Sequence, residues 1–192
     1  MEKQHNVITF ALSLFSYNVN EKKVPQFILD SLILSNRGSQ AFIIVTQPRR
    51  ISAISVATRV SQERLEDGSV GYAIRGESKQ NENTKLLFCT TGVVLRRLST
   101  GDNLEHVSHI VVDEVTLTSH SINVATYFAY QVHERSLDGD FLLLELKELL
   151  KNHPTLKVVL MSATINHETF VKYFNDAPLL TIPGFAHPVT DM

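Results

Sequence analysis

The run "HIVVDE", His109 to Glu114, closes an apolar segment with two adjacent carboxylates, Asp113 and Glu114. In a strand that ends this way, one carboxylate can hold Mg²⁺ while the other polarises an attacking water. Two solvated acids at a strand end would read the same, so the pair takes its meaning from what accompanies it. Similar punctuation recurs along the chain. "TQPRR" follows "AFIIV", "TTG" follows "KLLFC", and "SAT" follows "KVVLM". Each of these polar clusters ends an apolar run of strand length.

The elements that must position these clusters follow from periodicity. "AFIIVTQP" is a continuous apolar run closed by Pro48, which predicts a strand buried on both faces. "GSVGYAI", "TKLLFCT", "VSHIVVDE", "TLKVVLMSAT" and "APLLTIP" predict further strands. Between them, "VPQFILDSLILSN", "RRISAISVATRVSQERL", "GVVLRRLST", "GDFLLLELKELLKNHP" and "HETFVKYFN" carry helical spacing, and Gly38 and Pro154 supply stop signals. Strand–helix alternation with fully apolar strands predicts the α/β class: a mostly parallel sheet with helices on both faces. Ligands of such sheets bind at the carboxyl ends of the strands, where all four polar clusters are expected. Arg96 and Arg97 read as a solvated helix face.

Composition narrows the function classes. With 192 residues, 43% apolar and 20% charged, the chain has the size and make-up of one globular domain. A net charge of −2 argues against holding polyanions by bulk electrostatics, so any nucleic-acid contact must come from local patches. Cys89 is the only cysteine, which leaves neither a disulfide framework nor a thiolate metal cage and fits a reducing compartment. The apolar run Val7 to Phe15 is too short to span a bilayer and lacks the flanks of a signal peptide; it reads as a short buried strand. His106 and His109 have no further ligands nearby in sequence to make a metal site.

When Val115 to Gln131 is removed, the acidic pair runs on as "HIVVDEVHERSLDGDFLLLELKELL". This resembles motif II of the DEAH/RHA family of superfamily 2 RNA helicases, in the variant Asp-Glu-Val-His. "TQPRRISAISVATRVSQE" resembles motif Ia, "TTGVVLRRL" motif Ib, "MSATI" motif III, and "IPGFAHPV" the segment leaving the first RecA-like domain. The resemblance covers Val24 to Met192 apart from the interruption. It implies a RecA-like fold, ATP or another nucleoside triphosphate with Mg²⁺ as cofactor, and RNA as partner, together with helicase cofactor proteins. It implies no membrane and no small-molecule substrate other than the nucleotide. An intracellular location, nuclear or cytoplasmic, goes with it.

The matching residues take roles by the same resemblance. Asp113 would hold Mg²⁺ through water, Glu114 would activate the hydrolytic water, and His133 would link the nucleotide site to the RNA side. Ser162 and Thr164 would couple hydrolysis to domain movement, although the same two residues could simply cap the next helix. Arg49, Arg50, Thr91 and Gly92 would contact RNA phosphates, as suits movement over any sequence. Arg59 would lie beside the nucleotide base.

Three departures from the family pattern stand beside this. No G-x-x-x-x-G-K-[ST] occurs in the chain; "GYAIRGES", Gly71 to Ser78, puts Glu77 where that loop needs lysine and reads as a strand and turn. Residues 1–23 stand where the phosphate-binding loop should be, so the domain is expected over 24–192 with an atypical segment before it. A second RecA-like domain is expected beyond Met192 in the family and is not within this chain. The 17-residue stretch Val115 to Gln131 has no Asp, Glu, Lys or Arg. It begins with a residue whose codons start GT and ends with one that has a codon ending AG, the boundaries of an intron translated in frame. Two functions are therefore expected: a segment of an RNA helicase, inactive by itself, or a non-catalytic module that binds RNA or protein.

Overall fold

The computed structural model describes residues 7–12, 17–113, 137–162 and 171–182. Among them eight strands form one sheet: β1 (Val7–Leu12), β2 (Ile43–Gln47), β3 (Val70–Ile74), β4 (Glu77–Lys79), β5 (Leu86–Thr90), β6 (His109–Val112), β7 (Lys157–Ser162) and β8 (Leu179–Ile182). Their order is β4-β3-β5-β2-β6-β7-β1-β8. All neighbours are parallel except the β3–β4 hairpin. The α/β sheet expected from the apolar strands is thus the one observed.

Consecutive apolar residues in a strand face opposite sides, so β2, β5 and β6 each feed two cores. Ile43, Val45, Phe88 and Val111 pack with Leu29 of α1 (Tyr17–Leu34) and Val56, Ala57 and Val60 of α2 (Arg50–Glu63). Ile44, Leu87, Ile110 and Val112 pack on the other face with Val94 of α3 (Thr91–Ser99) and Leu142, Leu143 and Leu146 of α4 (Leu137–Asn152). Cys89 lies in this second core, where burial pushes its thiol up to about 12 and leaves it unreactive.

One boundary differs from the sequence expectation. α1 begins at Tyr17, seven residues before Val24, and runs through Pro25. A proline inside a helix removes a backbone donor and crowds the preceding turn. Here that turn is held from outside: Gln26 Nε2 donates to the Lys22 carbonyl at 2.9 Å and to Glu63 of α2 at 2.9 Å, while Lys23 Nζ reaches Glu63 at 3.1 Å. Tertiary hydrogen bonds to α2 outweigh the local penalty.

At the amino edge of the sheet, His109 is largely buried at the start of β6. Burial, then the nearby Lys157 and Arg37 charges, lower its pKa to about 4. An unfolded histidine binds its proton near pH 6.5. Between these two values the unfolded chain carries more protons than the folded one, so stability falls as the pH drops. Urea denaturation at pH 7 and pH 5 should show this loss, about 1–2 kcal/mol after allowance for partial solvent contact. His109→Gln should flatten the profile; an unchanged slope in that variant would assign the pH dependence elsewhere.

Candidate nucleic-acid interface

Asp113 follows β6 directly and is 5% exposed. Its carboxylate accepts a hydrogen bond from Gln47 Nε2 at 2.7 Å, and its backbone N–H reaches the Thr46 carbonyl at 3.3 Å. Gln47 ends β2 and is itself buried. The acid is therefore anchored to the neighbouring strand end by a charge-assisted bond, the stronger class of hydrogen bond. Gln47→Leu would remove that donor from a buried carboxylate, at an expected cost of about 1–3 kcal/mol in thermal or urea unfolding. Glu114, His133 and Thr164 lie outside the described residues. Ser162 closes β7, where its backbone pairs with Ala11 of β1.

The carboxyl ends of β2, β3 and β5 open into a cleft of about 720 Å³. Among the described residues, Arg50, Arg75, Arg96 and Arg97 line it against a single carboxylate, Asp138, with Thr91 and Gly92 at its wall. Arg50 is the first residue of α2, set by Arg49, whose extended backbone (φ −117°, ψ 142°) ends the loop after Pro48. Thr91 and Gly92 open α3, whose amino-terminal N–H groups favour an anion. A Cβ on Gly92 would stand at ordinary contact distance, 3.5 Å from Asp138 Oδ2, so internal packing does not require glycine there.

Arg75 reaches the cleft by way of the β3–β4 hairpin. Gly71 lets this hairpin close, since a Cβ there would meet the Lys79 carbonyl oxygen at 2.6 Å. Gly76, at φ +85°, makes the turn, and the Tyr72 hydroxyl donates to Glu77 across the two strands. Arg97 is half-buried, and its Nη1 is buried with no hydrogen-bond partner among the described residues. A guanidinium donor without an acceptor, at the wall of a cationic cleft, is a group that an anionic oxygen would satisfy.

Of the residues expected to meet RNA, the cleft gathers Arg50, Thr91 and Gly92 but is not lined by Arg49. Arg96 is exposed, as the solvated-face reading expected, and with the half-buried Arg97 it also lines the cleft, where Arg75 joins them. A signal for Arg96 was present: it stands four residues after Gly92 on a helix and so shares its face. Arg59 lies elsewhere on α2, where its Nε is bonded to Glu63 at 3.1 Å. Hydrogen bonds from Gln26, Lys23 and Arg59 hold the Glu63 carboxyl down to about 2.

β1 lies between β7 and β8, and α1 leaves it to pack on the α2 face, while β7 leads on to β8 on the far side of β1. The sheet therefore changes winding direction beside β1, the usual place for a phosphate-binding loop. The chain between Leu12 and Tyr17 is only Ser13-Leu14-Phe15-Ser16. A triphosphate cradle needs an eight-residue glycine-rich loop ending in lysine. The four residues of this link carry neither the glycines nor the lysine of such a cradle, and so do not fit a nucleoside triphosphate at this edge.

No family model matches the chain. It is 51% identical, over 88% of its length, to the DExH-box ATP-dependent RNA helicase DExH1 of Arabidopsis thaliana. It is 50% identical over 87% of its length to DExH3 of the same plant, and 45% identical over 88% to the ATP-dependent DNA/RNA helicase DHX36 of Bos taurus. The chain spans only 16%, 13% and 16% of these relatives' own lengths. Among the described residues, no helix is long and apolar enough to cross a membrane.

Proposed function

Because this chain belongs to the DEAH/RHA family of superfamily 2 ATP-dependent RNA helicases, we propose that it forms the first RecA-like domain of such an enzyme, with the task of holding RNA by its backbone. The observation that carries this is the convergence of Arg50, Arg75, Arg96 and Arg97 on one cleft beside the amino terminus of α3. Guanidinium groups and helix N–H groups recognise phosphate without reading bases, as a protein that moves along RNA requires.

In the longer enzyme, nucleoside triphosphate hydrolysis would be coupled to 3′-to-5′ movement on RNA. Asp113, Glu114, His133, Ser162 and Thr164 would belong to that chemistry, and helicase cofactor proteins would direct it. For this chain we assign no hydrolytic step, since the edge beside β1 lacks the cradle for the triphosphate. Val115 to Gln131 is best explained as intron sequence read in frame; a dominant messenger RNA retaining it would rule that out.

Fluorescence anisotropy of a labelled oligouridylate tests the RNA reading. Three or four phosphate contacts should give log affinity falling with log salt at a slope between about −2 and −3. Absence of binding at 50 mM salt would refute it.

A further inference from the structure

We propose that Ser99 is a phosphorylation site for a protein kinase that selects basic substrates, and that its phosphate draws Arg96 away from the cleft and loosens the hold on RNA. The second half rests on the RNA reading of the cleft; the first half does not.

The pattern Arg-Arg-x-Ser occurs twice in the chain, as Arg49-Arg50-Ile51-Ser52 and as Arg96-Arg97-Leu98-Ser99. Kinases of this class use their own carboxylates to read arginines two and three positions before the hydroxyl, so charge pattern selects the substrate. Local sequence makes the two serines equivalent, and the fold separates them. Ser52 is half-buried in the first turn of the 14-residue α2, and the next residue, Ala53, is fully buried. Bringing Ser52 into a kinase would lift the start of α2 from the core. Ser99 is exposed and is the last residue of the nine-residue α3. Arg96, three positions earlier, is exposed, and so are Thr100, Gly101 and Asn103 beyond it. Only the final turn of a short helix has to open there, and such ends open with the least free energy.

The effect of the phosphate follows from the geometry of α3. In the unmodified chain Ser99 Oγ donates to the Arg96 carbonyl at 2.9 Å. Phosphoryl transfer bonds that oxygen to the γ-phosphorus of ATP, breaks the bond to the departing ADP and releases the hydroxyl proton. A neutral donor thereby becomes an anion of charge about −1.5 to −2. The new charge lies at the carboxyl end of a helix, where the backbone carbonyls repel it. The guanidinium within reach belongs to Arg96, because residues three apart share a helix face. An ion pair between the two takes from the cleft one of the arginines that line it. Thr100, the neighbour of the modified serine, lines the same cleft. Phosphate on the protein and phosphate on RNA then compete for one cation.

The experiment uses the full 192-residue chain. The native protein is incubated with MgATP and the catalytic subunit of a cyclic-AMP-dependent kinase, and its tryptic fragments are mapped by mass spectrometry. One phosphoryl group per chain is expected, on Ser99; Ser99→Ala should abolish it and Ser52→Ala should leave it. Modification of Ser52 in preference to Ser99, or no incorporation into the native chain, would overturn the site. Oligouridylate affinity should fall about tenfold on phosphorylation, the loss of one charge-assisted contact, with circular dichroism confirming the fold. Ser99→Glu should lower affinity in the parent chain but by less than about twofold in an Arg96→Gln background. Equal losses in both backgrounds would overturn the withdrawal of Arg96. Should the unmodified chain not bind oligouridylate, the RNA reading falls and takes the second half with it. The mapping then decides the first half alone: phosphate on Ser99 upholds it, and an unmodified Ser99 refutes it.

Discussion

Exchange of Arg50 and Arg96 for glutamate, together, should lower RNA affinity by more than a hundredfold at moderate salt. The two residues come from different helices and line the same cleft, so both charges act on an RNA backbone held in it. A hydrogen bond to a charged group contributes about 1.5–3 kcal/mol, or about tenfold or more in affinity for each lost guanidinium. Reversal adds repulsion to that loss. The salt slope should shrink by roughly 0.7 for each contact removed from a single strand. Both residues are exposed, so the unfolding midpoint should hardly move. Anisotropy titrations across a potassium chloride series measure both quantities. Equal loss of affinity in a control variant, Arg59→Glu, would show that the effect comes from net charge and not from the cleft.

The largest effect on stability is expected from Phe88→Ala. Phe88 lies in β5, fully buried, in register with Val45 of β2 and Tyr72 of β3. It belongs to the core shared with Val56, Ala57 and Val60 of α2. Truncation removes the buried ring and leaves a cavity that a sheet held on both sides cannot collapse, at about 3–5 kcal/mol. For a domain of this size that corresponds to a fall of about 10 °C in melting temperature. It is a large part of the roughly 5–15 kcal/mol by which domains are stable. Because the ring sits beneath α2 and not in the cleft, RNA affinity measured well below the new midpoint should be retained. A loss below about 1 kcal/mol would mean that this core is looser than its burial indicates.

Much of the architecture is legible in the order of the residues. Apolar runs closed by Pro48 or by acids mark strands, because a parallel sheet covered on both faces tolerates no polar residue in the middle of a strand. The helices are readable from spacing, within one or two residues at α2, α3 and α4. α1 is misjudged at its start because proline is a local stop signal, whereas the bonds that override it come from Glu63, 37 residues beyond Gln26. The acidic pair and the polar strand ends are also visible in sequence, since each closes its own element.

What the sequence determined by itself is the class of fold, the family, and the edge of the sheet on which chemistry must lie. These depend on local patterns, apolar runs and short motifs, that survive without knowledge of neighbours. The tertiary structure alone decided which charges act together. Arg75 lines one cleft with Arg96 and Arg97 because the strand order β3-β5-β2 sets residues far apart in the chain side by side, whereas the Arg59–Glu63 bond is an i,i+4 contact within α2. Which residues of different elements share one cleft depends on distance in space, and spacing along one element carries no record of that.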